Sequence, residues 1–569
     1  LATSADSFGM MRLALVHALR RARRNLALGK GHVTRRLARA TTRLMLTPQD
    51  LRTADPTVAA DIYGGHFVFA GHSVSTGGGS PFDAPSPSLA WSEALMGLGW
   101  LRHLRAADTA LSRANARALV DDFIRRRHDR NEVARQPVIA SRRLIALISN
   151  AGMILEGADH GFYQRFVRHI GETARRLAVD MNDGLTERDR LAAAIGCAYA
   201  GLCLERAERL RRAATRRLSQ ELDWQILPDG GHCSRNPRVL IELLLDLLPL
   251  RVLYGAQGAE QPRALTAAID RMMPHLRLFR HGDGSLALFN GMGATQPDTL
   301  ATLIAYDDVR GRPMTDAPYS GYARLEAGAS VLIADIGAAP DIWSAREACA
   351  GPLAFEFSSG RHRIIVNCGL PLHAAPSLKL ASRFTAAHST LALNGGDCGR
   401  FLGIGGDMLL AGGAGEVTHE RTTSEMGQVL EASHDGWQAE TGLIHRRRLE
   451  LRQDGRLLTG RDALIGRAEA AVPGIIRFHL HPATQASARQ DGTSALLIVA
   501  DEAWLFASPG RELRVEESLF LADPHGPRRS LQITLSFTVQ EATEITWTLE
   551  RLEPQRRERQ QPDSSPQLL

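Results

Sequence analysis

Ala329-Ser330-Val331-Leu332-Ile333-Ala334-Asp335 reads as a β-strand in a chain that has been helical until then. Upstream, from about residue 88 to 310, the apolar period is that of a helix. Leu95, Leu98, Leu101 and Leu104 recur at three-residue spacing beside Trp91 and Trp100. Residues 109–127, 138–156, 162–181, 187–205 and 238–254 carry similar stripes, punctuated by Gly157, Gly161, Gly184, Pro228, Pro237 and Gly255. The pattern predicts helical hairpins packed in series, with the charge-rich stretches 105–127 and 206–217 on outer faces. Downstream of about residue 320 the period falls to two. Leu353–Phe357, Arg363–Asn367, Thr390–Leu393, Ile475–His481, Ala495–Ala500, Ala503–Ala507 and Leu531–Thr538 read as strands. Turns such as Asn394-Gly395-Gly396-Asp397 and Gly412-Gly413-Ala414-Gly415 separate them. Many short strands with Gly turns predict an antiparallel sandwich.

The 569 residues hold 68 basic and 62 acidic side chains, a formal charge of +6. Ten of the bases (Arg12 through Arg43, with Lys30) face one acid, Asp6, within residues 1–46, so the rest of the chain is slightly acidic. That distribution excludes a nucleic-acid groove binder. The basic arm suits either a solvated face or peripheral contact with an acidic membrane surface. No apolar run spans a bilayer and no secretory h-region stands out, so no export signal is expected within these residues. The six cysteines include no C-x-x-C and read as free thiols.

Three polar clusters stand out. Pro228-Asp229-Gly230-Gly231-His232-Cys233-Ser234-Arg235-Asn236-Pro237 lies between two helices, where its glycines and prolines hold a non-helical backbone. It places His232, Arg235 and Asn236 at a helix entry suited to an anion. An Asp-Gly turn followed by an Asn N-cap and Pro at the first helical position accounts for the same residues. Arg383-Phe384-Thr385-Ala386-Ala387-His388-Ser389-Thr390 runs into a strand, and Arg477, His479 and His481 share one strand face. No phosphate loop, G-x-S-x-G elbow or H-E-x-x-H occurs.

The combination resembles the heparinase II/III-like polysaccharide lyases over roughly residues 85–550. Pro228–Pro237 is similar to that family's D-G-x-x turn, and Arg383–Thr390 to its R-x-x-x-x-H-[NS]-T stretch. Gly351–Phe357, Arg363–Gly369, Glu440–Arg448 and Arg477–Pro482 are similar to its β-half. The resemblance implies a multidomain α+β fold: a basic helical arm (1–50), an incomplete α/α toroid (51–315), an antiparallel β-sandwich (316–552) and a disordered tail (553–569). It implies β-elimination on a uronic-acid-containing glycan. That chemistry needs a group to neutralise the substrate carboxylate, a base for the C5 proton and an acid for the leaving oxygen.

Carried over residue by residue, His232 or Asn236 meets the carboxylate or the proton, Arg235 and Arg383 bind substrate, and His388 assists from the β-half. The family's catalytic Tyr has no counterpart in the window Ser285–Gly293, which leaves Tyr306, beside Asp307 and Asp308, as the candidate. No cofactor is required. Cys349, Asn367 and His388 stand where the family's structural divalent metal is held, and they make a poor zinc set. The rival reading is a non-catalytic glycan-binding or polysaccharide-assembly protein that keeps the fold and has lost the acid/base Tyr. A glycosidase using Asp229 or Asp283 is a third. Family members are often periplasmic. With the body nearly neutral, the expectation is that a few placed groups such as Arg235 and His232 hold the substrate.

Overall fold

The computed structural model describes residues 43–553 apart from 185, 307–310, 312, 405–406 and 540–542, together with Leu15, Ala18, Leu19, Ala22 and Leu26, which are helical. The expected basic arm and C-terminal tail otherwise lie outside the described residues, as do Asp307 and Asp308. One part of the arm is corrected: residues 43–50 are not helical. Leu44 bridges Leu204, and the Met45 N–H donates to the Cys203 carbonyl (2.7 Å). This edge pairing, with Pro48 close behind, holds the segment extended and carries Asp50 and Arg52 toward the helices.

The helical half is built from antiparallel neighbours. Pro137–Ser149, His160–Asp183, Glu208–Gln225 and Pro237–Ala256 all pack around Glu187–Cys203. From Ala193 to Cys203 every residue of that central helix is buried, because a helix apolar on all sides needs partners on all sides. Its start is fixed by a capping box in which Thr186 and Asp189 exchange hydrogen bonds. A small hairpin, His66–Phe69 with His72–Ser75, precedes the helices and turns through Ala70 and Gly71.

The β-half is two large stacked antiparallel sheets and a separate two-stranded one, Arg400–Ile404 with Asp407–Ala411. The nine-stranded sheet runs Leu513–Phe520, Arg528–Val539, Val472–Leu480, His362–Val366, Phe355–Ser359, Ser330–Asp335, Tyr322–Ala327 and Asp316–Ala317, with Leu391–Leu393 also paired to Val472–Leu480. The eight-stranded sheet runs Val417–Ser424, Gly427–His434, Leu443–Arg452, Leu457–Gly466, Thr543–Arg551, Glu502–Ala507, Ser494–Val499 and Gln485–Ala488. Ser330–Asp335 shows how the layers meet. Val331 and Ile333 enter the helical core, while Leu332 and Ala334 enter the core between the sheets. The strand is therefore buried on both faces, which is why it reads as a nearly continuous apolar run. Between the sheets, Phe355, Phe478 and Phe506 surround Trp547 with centroids 5.5, 4.8 and 5.8 Å from it.

Leu443–Arg452 and Leu457–Gly466 form strands that the apolar pattern does not announce. Their inward positions include His445, Arg447 and Asp462. Asp462 accepts from Arg447 Nε (2.7 Å), His445 Nε2 (2.8 Å) and Trp547 Nε1 (2.9 Å), so a buried polar network occupies positions that leucines would otherwise fill.

Candidate ligand cleft

The loop Pro228–Pro237 joins Glu208–Gln225 to Pro237–Ala256 by pressing against helix Arg263–Leu278. Gly230 sits at φ +87°, and a Cβ there would collide with the Arg271 carbonyl. The loop's polar groups face the β-half. Asp229 accepts from the Ser320 backbone N–H (2.7 Å) and hydroxyl (3.0 Å). Arg235 Nε donates to the Ser320 carbonyl (2.7 Å) and Nη1 to the carbonyls of Gly337 (3.2 Å) and Ala338 (2.8 Å). Its Nη2 donates to the Gly321 carbonyl (3.0 Å) and to Asp335.

A guanidinium has five N–H donors, and all five are engaged. Tyr322, opposite Asp335 in register, lies under the guanidinium at 5.0 Å and donates its hydroxyl to the Arg235 carbonyl (2.5 Å). Asn290 donates to both Tyr322 (2.7 Å) and Asp335 (3.0 Å). Arg235 is thus a clamp between the two halves, with no donor left for a substrate carboxylate. Its bonding offers no support for the expected substrate-binding role.

His232 is buried, and its Nε2 lies 3.2 Å from Gln225 Oε1. Its Nδ1 accepts from the Ser234 N–H (3.1 Å), which places the neutral ring's proton on Nε2. Burial, reinforced by Arg188, lowers the imidazole to about 4. Both nitrogens are occupied, so the ring has no lone pair for a substrate proton. Asn236 caps the next helix through Oδ1, which accepts from the Arg238 N–H (2.9 Å), and its Nδ2 donates to Glu347 (2.7 Å).

The other expected groups lie elsewhere. Tyr306 follows helix Pro297–Ala305, packs its ring against the helical core and, among the described residues, donates its hydroxyl to Gln49 (3.4 Å). His388 is buried with Nδ1 donating to the Phe384 carbonyl (2.8 Å), its ring packed against Gly351. Asp283 caps its own turn through the Ser285 N–H (2.8 Å). His479 bonds Ser518 (2.8 Å) and the Ala386 carbonyl (3.0 Å).

Cys349, Asn367 and His388 do not converge on a metal site. Asn367 Oδ1 accepts from the Ser389 N–H (2.9 Å), and burial pushes the Cys349 thiol up to about 11. Among the described residues no group of three or more His, Cys, Asp or Glu side chains is arranged to hold a metal ion.

Asn367 belongs instead to a second clamp, centred on buried Glu356. That carboxylate accepts from the Leu288 N–H (3.0 Å), the Asn367 N–H (2.9 Å), His281 Nε2 (3.1 Å) and Arg363 (2.8 Å). Burial alone would raise it, but Arg363 and the hydrogen bonds hold it down at about 2.

Beside these clamps a cleft of about 2530 Å³ opens through the helical half, closed at one end by the β-half segments 370–383 and 407–408. Of the expected site residues only Arg383 lines it. The Arg383 guanidinium is stacked on Phe401 (4.8 Å) and donates to the carbonyls of Ala345, Ala348 and Met408. The walls carry fourteen arginines and one lysine against ten carboxylates. The near-neutral body therefore concentrates cations here, and Arg235 and His232 are not among the lining residues. None of the seven tyrosines, all of them described, lines the cleft.

The sequence reading missed Arg238, Glu242 and Glu347, which line the cleft next to Asn236. Spacing of i and i+4 just past an Asn-Pro cap was the available signal for the first two. Burial would raise Glu347, yet Arg238 and Arg188 hold it below its ordinary value. Arg142 and Arg238 likewise hold Glu242 at about 2. His103, also on the wall, is lowered to about 4 by burial and Arg102, and its Nδ1 accepts from the Asp55 N–H (2.9 Å). Each of these three is a weak base at neutral pH.

The family profile described as Heparinase II/III-like, C-terminal, matches residues 309–548. The FtsZ-localized protein C of Caulobacter vibrioides is 33% identical over 530 residues, spanning 90% of each chain. A crystal structure of heparinase III superposes with a TM-score of 0.70 at 14% identity, over 92% of this chain and 89% of that one. A mutant of the heparan sulfate lyase HepC from Pedobacter heparinus gives 0.64 at 13% identity, over 95% and 89%. Identities this low carry the fold alone.

Proposed function

The chain belongs to the heparinase II/III-like family, and from that premise we propose that it holds an acidic glycan in the arginine-rich cleft without cleaving it. One observation carries the reading: the cleft has a surplus of guanidinium groups and no phenol. β-Elimination needs a base poised near the working pH and an acid at the leaving oxygen. Glu242 and Glu347 are ionised, strongly neutralised carboxylates, and neutral His103 presents an N–H rather than a lone pair. Arginines remain charged and bind carboxylate or sulfate in a bidentate fork. Binding is thus supported and proton transfer is not.

The second reading is the family's own chemistry, a polysaccharide lyase acting by elimination, and membership of the family is what favours it. One experiment separates the two. The full chain is mixed with a panel of uronate polymers, and the ultraviolet absorbance of the C4–C5 double bond is followed beside calorimetric binding. Binding without absorbance supports the first reading, and a rising absorbance supports the second.

The FtsZ-localized relative supports a location for this binding rather than a chemistry. The proposal extends FtsZ localisation to this chain, so that a fluorescent fusion forms foci that disperse when FtsZ is depleted. Foci that persist without FtsZ count against it.

A further inference from the structure

Two walls of the cleft treat their arginines differently. On one wall four are paired: Arg52 with Asp246 (2.7 Å), Arg142 with Glu242 (2.9 Å), Arg346 with Asp407 (2.8 Å), and Arg238 with Glu347, while Arg102 donates to the carbonyls of Thr53 and Gly99. The other wall is made of residues 127–135, the middle of His160–Asp183 and the start of Glu187–Cys203. There Arg130, Arg135, Arg175 and Arg188 line the cleft with no ion-pair or hydrogen-bond partner for their guanidinium groups among the described residues. Arg130, Arg135 and Arg188 are exposed and Arg175 is half-buried.

Local structure explains why these four are left over. Arg127, at φ +59°, ends helix Ala110–Arg125 and turns the chain back. It then pairs with Asp129 (3.2 Å) and Glu172 (3.5 Å), while Arg176 pairs with Asp129 (3.8 Å). These bonds anchor the segment on His160–Asp183 and engage the carboxylates that Arg130 and Arg175 would otherwise meet. At the next helix Asp189 is held in the capping box and Glu187 pairs with Arg190 (3.0 Å), which leaves Arg188 without a direct ion pair, acting on Glu347 and Glu242 only through space. Glu132 is the carboxylate on this wall that forms no side-chain bond of its own among the described residues, so the surplus of positive charge stands.

We propose that Arg130, Arg135, Arg175 and Arg188 form an anion track that reads the repeating carboxylate or sulfate groups of a glycan lying along the cleft. The inference rests on the glycan-binding reading and assigns the residues that carry it. An exposed charge pair contributes little by itself, so affinity depends on several contacts made together. Binding should therefore grow with ligand length and fall steeply with salt, as charged contacts do when counterions compete for them.

The test uses the full chain and size-fractionated oligomers of polygalacturonate, which carries carboxylates only, and of heparin, which carries sulfates as well. The variant combines Arg130→Gln, Arg135→Gln, Arg175→Gln and Arg188→Gln. A control combines Arg168→Gln, Arg216→Gln, Arg489→Gln and Arg529→Gln, all exposed, outside the cleft and equal in charge change. At low salt each lost contact costs about threefold in affinity, on the order of a hundredfold for four, with a flatter salt dependence. The control stays within about threefold. Equal losses in the two variants overturn the track while leaving cleft binding intact. A wild-type chain that binds neither oligomer overturns the glycan reading itself. Binding of heparin alone assigns the track to sulfate, and binding of both polymers assigns it to carboxylate as well.

Discussion

The clamp at Arg235 and the wall at Arg188 use the same side chain to opposite ends. Arg235 is buried, with every donor bonded and its charge answered by Asp335. Arg188 is exposed, without an ion-pair or hydrogen-bond partner among the described residues, and faces a large cavity. A saturated guanidinium can hold two domains together but has nothing to offer a ligand, whereas an unsaturated one costs stability nothing and waits for an anion. The difference teaches that a functional arginine is recognised by its unused donors rather than by the density of polar residues around it.

The comparison breaks first at Asp335. Asp335→Ala leaves a buried guanidinium unpaired and should lower unfolding stability by about 3–5 kcal/mol in urea titration. A loss under 1 kcal/mol would show that the clamp does not tie the halves.

Glu356 sharpens the contrast through pH. Its folded value of about 2 lies below the ordinary 4.5, so its contribution is present above pH 4.5 and lost as pH falls through about 2. The wild type should lose on the order of 3 kcal/mol across that window relative to Glu356→Gln. Parallel pH profiles for the two proteins would contradict this.

His232 titrates in a different window. Its folded value of about 4 lies below the ordinary 6.5, so the unfolded chain binds more protons in between and stability falls as pH drops from 6.5 to 4. His232→Gln should remove about 3 kcal/mol of that loss and leave glycan affinity unchanged. A glycan affinity that falls with the substitution would return the ring to the site.

The smallest expected effect is on the stability of the track variant, which should unfold within about 0.5 kcal/mol of wild type while its binding collapses. A large thermal shift would mean that those arginines have structural partners after all.

Much of the fold was legible because burial wrote it in apolar periods. The run Val331–Ala334 falls inside an observed strand, whereas the spacing from Leu95 to Leu104 spans two helices, Leu89–Met96 and Leu101–Ala107, with Leu98 at φ +52° in the break between them. Leu443–Arg452 escaped notice because His445 and Arg447 stand at inward positions and break the alternation, while their network with Asp462 is formed only by strand pairing. The site was less legible, for the converse reason. Asp229, Arg235 and Asn236 crowd one Gly- and Pro-framed loop and draw the eye, yet their bonds run to Ser320, Asp335 and Glu347, about a hundred residues away. Arg130, Arg135, Arg175 and Arg188 are scattered over three segments rich in charge, each of which reads as a solvated face. Only the folded chain shows which of those charges have partners.

The central claim is that the cleft binds an acidic glycan and does not cut it, and one sample tests both parts. The full chain is titrated with heparin and polygalacturonate oligomers while binding heat and double-bond absorbance are recorded together. The account predicts saturable, salt-sensitive binding with flat absorbance over prolonged incubation. Absorbance that rises in proportion to enzyme concentration, or the absence of binding to either polymer, would contradict it.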